Sequence, residues 1–214
     1  MRSLVGLTPT EWPEARLSDI CDLIPGAPTR DDPSGSVPVL KPRNLVLGRL
    51  AGPTDTMDSA EAKQHPRYRV MSGDLLCART GTVGKVGLAT DRQAGWVFGS
   101  GLICVRAKPD SRVDPRYLAC YFTHPAVAGW ITRHAKRTSI PNISSKILSA
   151  LPVSLPPLSI QNSIAASIAK LNDSIEAHQR VSETTAEIRD AVLPLLMTGE
   201  LPADDPGEAT IFSG

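Results

Sequence analysis

The chain has no apolar run of about 18 residues, which excludes a membrane-spanning helix. Its first residues, Met1 to Leu7, carry one positive charge but no apolar stretch of secretory length. No signal peptide is therefore expected, and a cytoplasmic location is. Only four cysteines occur (Cys21, Cys77, Cys104 and Cys120), none in a C-x-x-C pair and each among apolar neighbours. That excludes a disulfide framework, disfavours a zinc site and predicts buried, reduced thiols. No histidine stands at metal-pair spacing: His65, His124, His134 and His178 are far apart. His134 falls on an apolar helix face and reads as a packed or dipole-facing side chain rather than a ligand. There is no internal repeat. What is present suffices for a buried core: 41% hydrophobic and 21% charged residues in 214, somewhat more than one ordinary domain.

The net charge of +1 conceals a division. Residues 1–150 hold 20 Lys+Arg against 13 Asp+Glu, and residues 151–214 hold 3 against 9. A basic body followed by an acidic segment suggests that the body meets a polyanion while the rest does another job, although uneven surface charge alone gives the same sum.

Helical patterning is scarce from about residue 12 to 110. Short apolar runs at Val37–Leu40, Asp74–Ala78, Val83–Ala89 and Leu102–Val105 are punctuated by glycine and proline. They predict a curled mixed sheet of short strands. From Asp114 the period changes. Asp114-Pro115 is a good N-cap and N1 pair, and Leu118, Tyr121 and Phe122 follow at helical spacing. His124-Pro125 restarts a second helix with Val127, Trp130, Ile131 and His134 on one face, and a third short helix is expected from Ser144. The fold class is therefore α+β, with helices grouped late.

Pro152 to Pro157 forms a connector, after which Ser159 can cap a new helix. To Met197 there is no glycine and one proline, Pro194, predicting one helix of roughly 39 residues, about 58 Å long. Ile164, Ile168, Leu171 and Ile175 step by 4, 3 and 4, a coiled-coil seam. The seam weakens at His178, Ser182 and Thr185, and Val181, Ile188, Val192 and Leu195 resume out of phase. Such a stripe needs another helix or a fold back onto its own body. The expected organisation is 1–155 as a mixed domain, 156–200 as a long helical segment and 201–214 as a flexible acidic tail.

Several motifs fail. Gly81-Thr82-Val83-Gly84-Lys85 resembles the end of a phosphate-binding loop, but Arg79 replaces the first glycine and Val86 the hydroxyl. Gly99-Ser100-Gly101 is not a nucleophile elbow. There is no G-x-G-x-x-G and no Asn-Pro-Pro-Tyr loop of amino-methyltransferases. Asp55 with Glu61 and Lys63 mimics a nuclease carboxylate set, a loose triple that also arises by chance. A small metal-dependent nuclease and a protein-only coiled-coil adaptor are the rival readings.

The order of the remaining signals is more telling. Trp12 to Ile20 opens the series; Val37-Pro38-Val39-Leu40-Lys41-Pro42-Arg43-Asn44-Leu45 follows. Then come Gly73-Asp74-Leu75-Leu76-Cys77-Ala78-Arg79-Thr80-Gly81 and Asp114-Pro115-Arg116-Tyr117-Leu118. Leu151-Pro152-Val153-Ser154-Leu155-Pro156-Pro157-Leu158, with Gln161, leads into the long helix, which ends at Leu195-Leu196-Met197-Thr198-Gly199-Glu200-Leu201. Across about residues 11–201 this series resembles the specificity subunit of type I restriction–modification systems. It looks like one target-recognition domain and one helical spacer. Two departures stand out. Ile160 occupies the place of an expected glutamate, and the unit occurs once where family members usually carry it twice. The chain thus reads as a half-length but complete short protein.

The resemblance implies a subunit without catalysis or cofactor of its own. It would bind double-stranded DNA and bring an adenine methyltransferase, which would hold the S-adenosylmethionine, and a restriction or translocase subunit where one exists. Residue chemistry supplies the candidates: Lys41, Arg43 and Asn44; Arg79, Thr80, Thr82 and Lys85; and Arg133, Lys136, Arg137, Thr138 and Ser139. Arg and Lys neutralise phosphates, and Arg or Asn can read base edges; each is equally a possible surface or salt-bridge residue. Arg43, Asn44 and Arg79 are the expected base contacts. Ile164, Ile168, Leu171, Ile175, Ile188, Val192 and Leu195 form the expected dimerisation stripe. An antiparallel homodimer reading a palindromic, gapped target follows, with a second, different half subunit as the alternative partner.

Overall fold

A computed structural model describes residues 12–46, 48–52, 54–135 and 141–198. The chain divides into two compact units, Met1–Ala166 and Ser167–Gly214. The first opens with β1 (Glu14–Arg16), α1 (Leu17–Ile20), β2 (Cys21–Pro25) and β3 (Val37–Leu40). A 3-10 turn at Pro42–Asn44 leads to β4 (Leu45–Val46), β5 (Gly48–Leu50), β6 (Asp55–Met57) and α2 (Ser59–Lys63). Then follow β7 (Leu75–Ala78), β8 (Val86–Leu88), β9 (Val97–Phe98) and β10 (Leu102–Ala107). The helices α3 (Pro115–Thr123), α4 (Pro125–His134) and α5 (Ser145–Leu148) precede β11 (Pro152–Ser154) and α6 (Leu158–Thr198).

The strands form a six-stranded sheet ordered β2-β10-β7-β8-β5-β4, a three-stranded sheet β6-β3-β9 and the pair β1-β11. The β5–β8 and β3–β9 pairings are parallel and the others antiparallel, so the sheets are mixed, as the short apolar runs predict. β7 lies between β10 and β8 with all four residues buried. Its period of two divides them between two cores. Leu75 and Cys77 join Ile103 and Val105 under Leu118, Tyr121 and Phe122 of α3 and Val127 and Ile131 of α4. Leu76 and Ala78 join Leu102 and Cys104 on the other face with Leu40 and Phe98. Each fully buried Leu, Ile or Phe contributes about 1.5–3 kcal/mol by area. Just before β7, Asp74 is 1% exposed and accepts the Arg106 fork at 2.7 and 2.6 Å.

The late helices begin where the sequence places them. Asp114 accepts from the Arg116 amide at 2.7 Å, with Pro115 first in α3. His124 caps α4 through its ring, Nδ1 accepting from the Ala126 amide at 3.2 Å, and Ser144 caps α5. The α3 tyrosines reach β11: Tyr117 donates to the Ser154 carbonyl at 2.7 Å and Tyr121 to that of Pro152 at 2.8 Å.

Three local expectations change. Two one-turn helices, α1 and α2, interrupt the helix-poor region; α2 arises because the Asp58 carboxylate accepts from the Ala60 and Glu61 amides. The expected strand from Val83 shortens to Val86–Leu88, because Gly84 adopts a left-handed φ of 89° in the preceding turn. α6 starts one residue before Ser159, because the Pro157 carbonyl already accepts from the Ile160 and Gln161 amides. His134 packs as expected, its ring stacked on Trp130 at 4.0 Å with Nδ1 2.8 Å from the Trp130 carbonyl, although it is exposed.

The first residues of α6 belong to the first unit. Gln161 is fully buried: its oxygen accepts from the Asp114 amide at 2.8 Å, and its nitrogen donates to the Arg112 and Pro156 carbonyls at 2.9 and 2.8 Å. Ile164 is half-buried against the α3–α4 core. Within the second unit, Ile168, Leu171 and Ile188 are exposed and Val192 is half-buried, while the side chains of Ile175 and Leu195 lie outside the described residues. Among the described residues no helix is long and apolar enough to cross a membrane.

Candidate nucleic-acid interface

Three strands, β3, β7 and β9, end where β10 begins. The Arg79 amide donates to the Gly101 carbonyl at 3.0 Å, and the Gly99 amide to that of Leu40 at 2.9 Å. A methyl placed on Gly101 would stand 2.8 Å from Pro42 Cγ and 3.5 Å from Thr80 Oγ1. Only hydrogen at that Cα lets the Pro42–Asn44 turn and the Arg79–Lys85 loop close over the Gly99–Gly101 turn. The chain after residues 136–140 returns to the same place: the Gly81 amide donates to the Pro141 carbonyl at 3.2 Å and Ile143 to that of Arg79 at 2.9 Å. Thr80 bridges to Asn142, and Ile131 of α4 lies 3.3 Å from where a Gly84 Cβ would be. Candidate clusters that are far apart in sequence thus share one neighbourhood.

Their electrostatics differ. Lys41 donates to both Asp31 oxygens at 2.8 and 2.6 Å. Its Nζ also lies 2.7 Å from Asp55 Oδ2, an ion pair off the hydrogen-bonding angle. Arg43 Nη2 meets Asp55 Oδ1 at 2.5 Å, with the Arg43 side chain 55% exposed. The contacts with Asp31 and then Asp55 raise the Lys41 pKa, and those with Lys41 and then Arg43 lower that of Asp55. This turn is therefore charge-balanced. Lys85 and Arg133 are exposed and have no ion pair among the described residues. Uncompensated cations are what phosphates require.

The other candidates sort by burial. Asn44 is 1% exposed; its oxygen accepts from the Lys41 amide at 3.0 Å and its nitrogen donates to the Ala51 carbonyl at 3.2 Å. The expected base contact at Asn44 is thus committed to bracing the turn that carries Arg43. Arg79 is half-buried, and its Nε is buried with no hydrogen-bond partner among the described residues. An incoming acceptor would satisfy that donor, which costs about 1–3 kcal/mol when left unpaired. Thr80 is half-buried and Thr82 exposed on the same loop. Lys136, Arg137, Thr138 and Ser139 lie outside the described residues.

Residues missed in the sequence include Gly101, whose role is close approach, and Asp31 and Asp55 as partners of the cations. The register Val39↔Asp55 brings Asp55 beside the start of the turn, and no local pattern signals it. Asp55 therefore serves Lys41 and Arg43. Among the described residues no three His, Cys, Asp or Glu side chains are grouped as a metal site. Cys21, Cys77 and Cys104 are buried and Cys120 half-buried, all as free thiols. Burial pushes the Cys21 and Cys77 thiols up to about 12.

Comparison with known proteins bears on the fold and the family. Solved structures with this fold include a chain from work on complex assembly and conformational transition of the type I R-M system. It has a TM-score of 0.66 and 21% identity, over 91% of this chain and 47% of that one. The HsdS subunit from Thermoanaerobacter tengcongensis gives 0.61 and 21%, over 91% and 46%. The type I restriction–modification S subunit from M. genitalium gives 0.62 and 17%, over 92% and 49%. The chain spans about half the length of these structures. No curated protein sequence matches. Residues 9–184 match the family described as the type I restriction modification DNA specificity domain. With that match covering most of the chain, from β1 through much of α6, the protein belongs to this family.

Proposed function

We propose that this chain is a non-catalytic, sequence-specific DNA-recognition subunit of a type I restriction–modification system, acting in the cytoplasm where that DNA lies. The convergence of the Pro42–Asn44 turn, the Arg79–Lys85 loop and the Pro141–Ile143 return around Gly101 carries this reading. Among the described residues Lys85 and Arg133 carry no ion pair, and Arg43 pairs with Asp55. Lys85 and Arg133, with Lys136 and Arg137, supply phosphate contacts, and Arg43 and Arg79 meet base edges. Thr80, Thr82, Thr138 and Ser139 offer hydroxyls to either.

Two copies paired through the exposed apolar positions Ile168, Leu171 and Ile188 of α6 would read a bipartite target. Two-fold pairing through antiparallel α6 helices makes that target palindromic and gapped. A second, different half subunit is the other pairing. An adenine methyltransferase subunit with its S-adenosylmethionine supplies the chemistry, and a restriction or translocase subunit joins where the system cuts.

Selection of bound duplexes from a randomised DNA library, with the mass of the free chain measured by light scattering, tests this. Enrichment of an inverted repeat by a particle of twice the monomer mass is expected. Absence of any sequence preference sinks the recognition role, and metal-dependent cleavage by the purified chain would replace it with the nuclease reading.

A further inference from the structure

The Asp31–Lys41–Asp55–Arg43 network sets two anions against two cations at the recognition turn, and so gives the turn no net attraction for phosphate. Exposed ion pairs also contribute little to stability. Neither affinity for the DNA backbone nor folding explains why the network is held so firmly. Yet both of its supports are braced. The Asp32 amide donates to the Thr56 carbonyl at 2.8 Å, and Thr56 Oγ1 returns a bond to the Asp32 carbonyl at 2.6 Å, tying the loop of Asp31 to β6. The Asp32 carboxylate takes the Ser34 amide and hydroxyl at 2.9 and 2.6 Å. Asn44 locks the turn from beneath. The one part left open is Arg43. Its Nη2 stands 2.5 Å from Asp55 Oδ1 as an ion pair off the hydrogen-bonding angle, and among the described residues its guanidinium donates no hydrogen bond.

Resting on the recognition role above, we propose that Asp55 is a specificity-determining positioning residue, which holds the Arg43 fork for the O6/N7 edge of a guanine in duplex DNA. An arginine drawn to a carboxylate at one nitrogen keeps its donors free in the planar fork that a guanine edge accepts. With Asp31, the same carboxylate cancels the turn's charge, so the turn rewards the matching base and penalises indiscriminate contact with phosphate.

Two opposite effects of one substitution distinguish this role. Asp55→Asn keeps the shape, frees Arg43 and removes a negative charge. Against random-sequence duplex it is expected to bind more tightly than wild type, with a salt slope steeper by about 0.9 for each additional phosphate neutralised. In the randomised-library selection it loses preference for G·C at one position of each half-site by about 5- to 150-fold, other positions standing. Arg43→Lys, which keeps the charge and loses the fork, loses the same position without the gain in non-specific binding. An Asp55→Asn profile identical to wild type overturns the proposal. So does preference lost evenly at all positions together with a lowered melting temperature, which makes Asp55 a packing residue. If the wild-type chain itself selects no sequence, the recognition role has failed first, and the wild-type arm alone reveals that.

Discussion

Asp74 and Arg106 show how a motif residue can serve the fold. The carboxylate is buried, and it also accepts from the Met71 amide at 2.8 Å, while Arg106 donates to the Arg69 carbonyl at 2.9 Å. The bond to Asp74, against the opposing effect of burial, raises the Arg106 pKa. Asp74→Ala leaves that guanidinium, 23% exposed, without its counter-ion. Loss of such a partner costs about 3–5 kcal/mol when fully buried; partial exposure of Arg106 places the expected loss near the lower figure, measurable by urea unfolding. Asp114 offers a pH test. The Arg116 side chain, against an opposing effect of burial, holds its pKa below the ordinary 3.8. The folded form thus prefers the ionised carboxylate. Its contribution is present above pH 3.8 and disappears as pH falls through the lower folded value. Stability titrated below about pH 4 should drop less steeply in Asp114→Asn than in wild type.

At the scale of elements, α6 does two jobs along its length. Its first turn is held by Gln161, whose amide satisfies Asp114, Arg112 and Pro156 at once. Gln161→Leu leaves three backbone groups unpaired, each costing about 1–3 kcal/mol, and should lower the melting temperature and speed hydrogen exchange in the first turn of α6. Farther along, the apolar positions part company. Ile164 is packed on the core of its own unit, whereas Leu171 is 59% and Ile188 58% exposed. Ile164→Ala should therefore reduce stability and leave the particle mass unchanged. Ile168→Asp with Leu171→Asp should leave the melting temperature of the first unit unchanged and convert the proposed dimer to a monomer in light scattering.

For the molecule as a whole, charge separates along the chain: basic through residue 150 and acidic beyond it. Lys85 and Arg133, without an ion pair among the described residues, belong to the basic part, while Lys41 and Arg43 are balanced by Asp31 and Asp55. Lys85→Ala with Arg133→Ala should weaken binding to every duplex by a similar factor. The slope of log K against log salt should become shallower by about 0.9 for each phosphate no longer neutralised. An effect confined to one base position would instead make one of them a reader.

Much of this was legible before any coordinates. Proline and glycine punctuation sets short strands apart from helices. Asp114-Pro115 and Ser144 mark helix starts because capping is local chemistry between neighbours. The apolar steps of α6 state where its sticky face lies, since period alone decides it. Contacts between distant segments were not legible. Asn44 reads as a base contact until the turn folds beneath it, and Asp55 as a nuclease carboxylate until strand register sets it against Arg43. Gly101 carries no signal until Pro42 and Thr80 approach its bare Cα. Ile164 belongs to the helical stripe by spacing and to the domain core by packing. Periodicity and caps act between near neighbours along the chain, so the sequence contains them outright. Charge pairing, burial and close approach depend on which segments meet, and only the tertiary structure decides that.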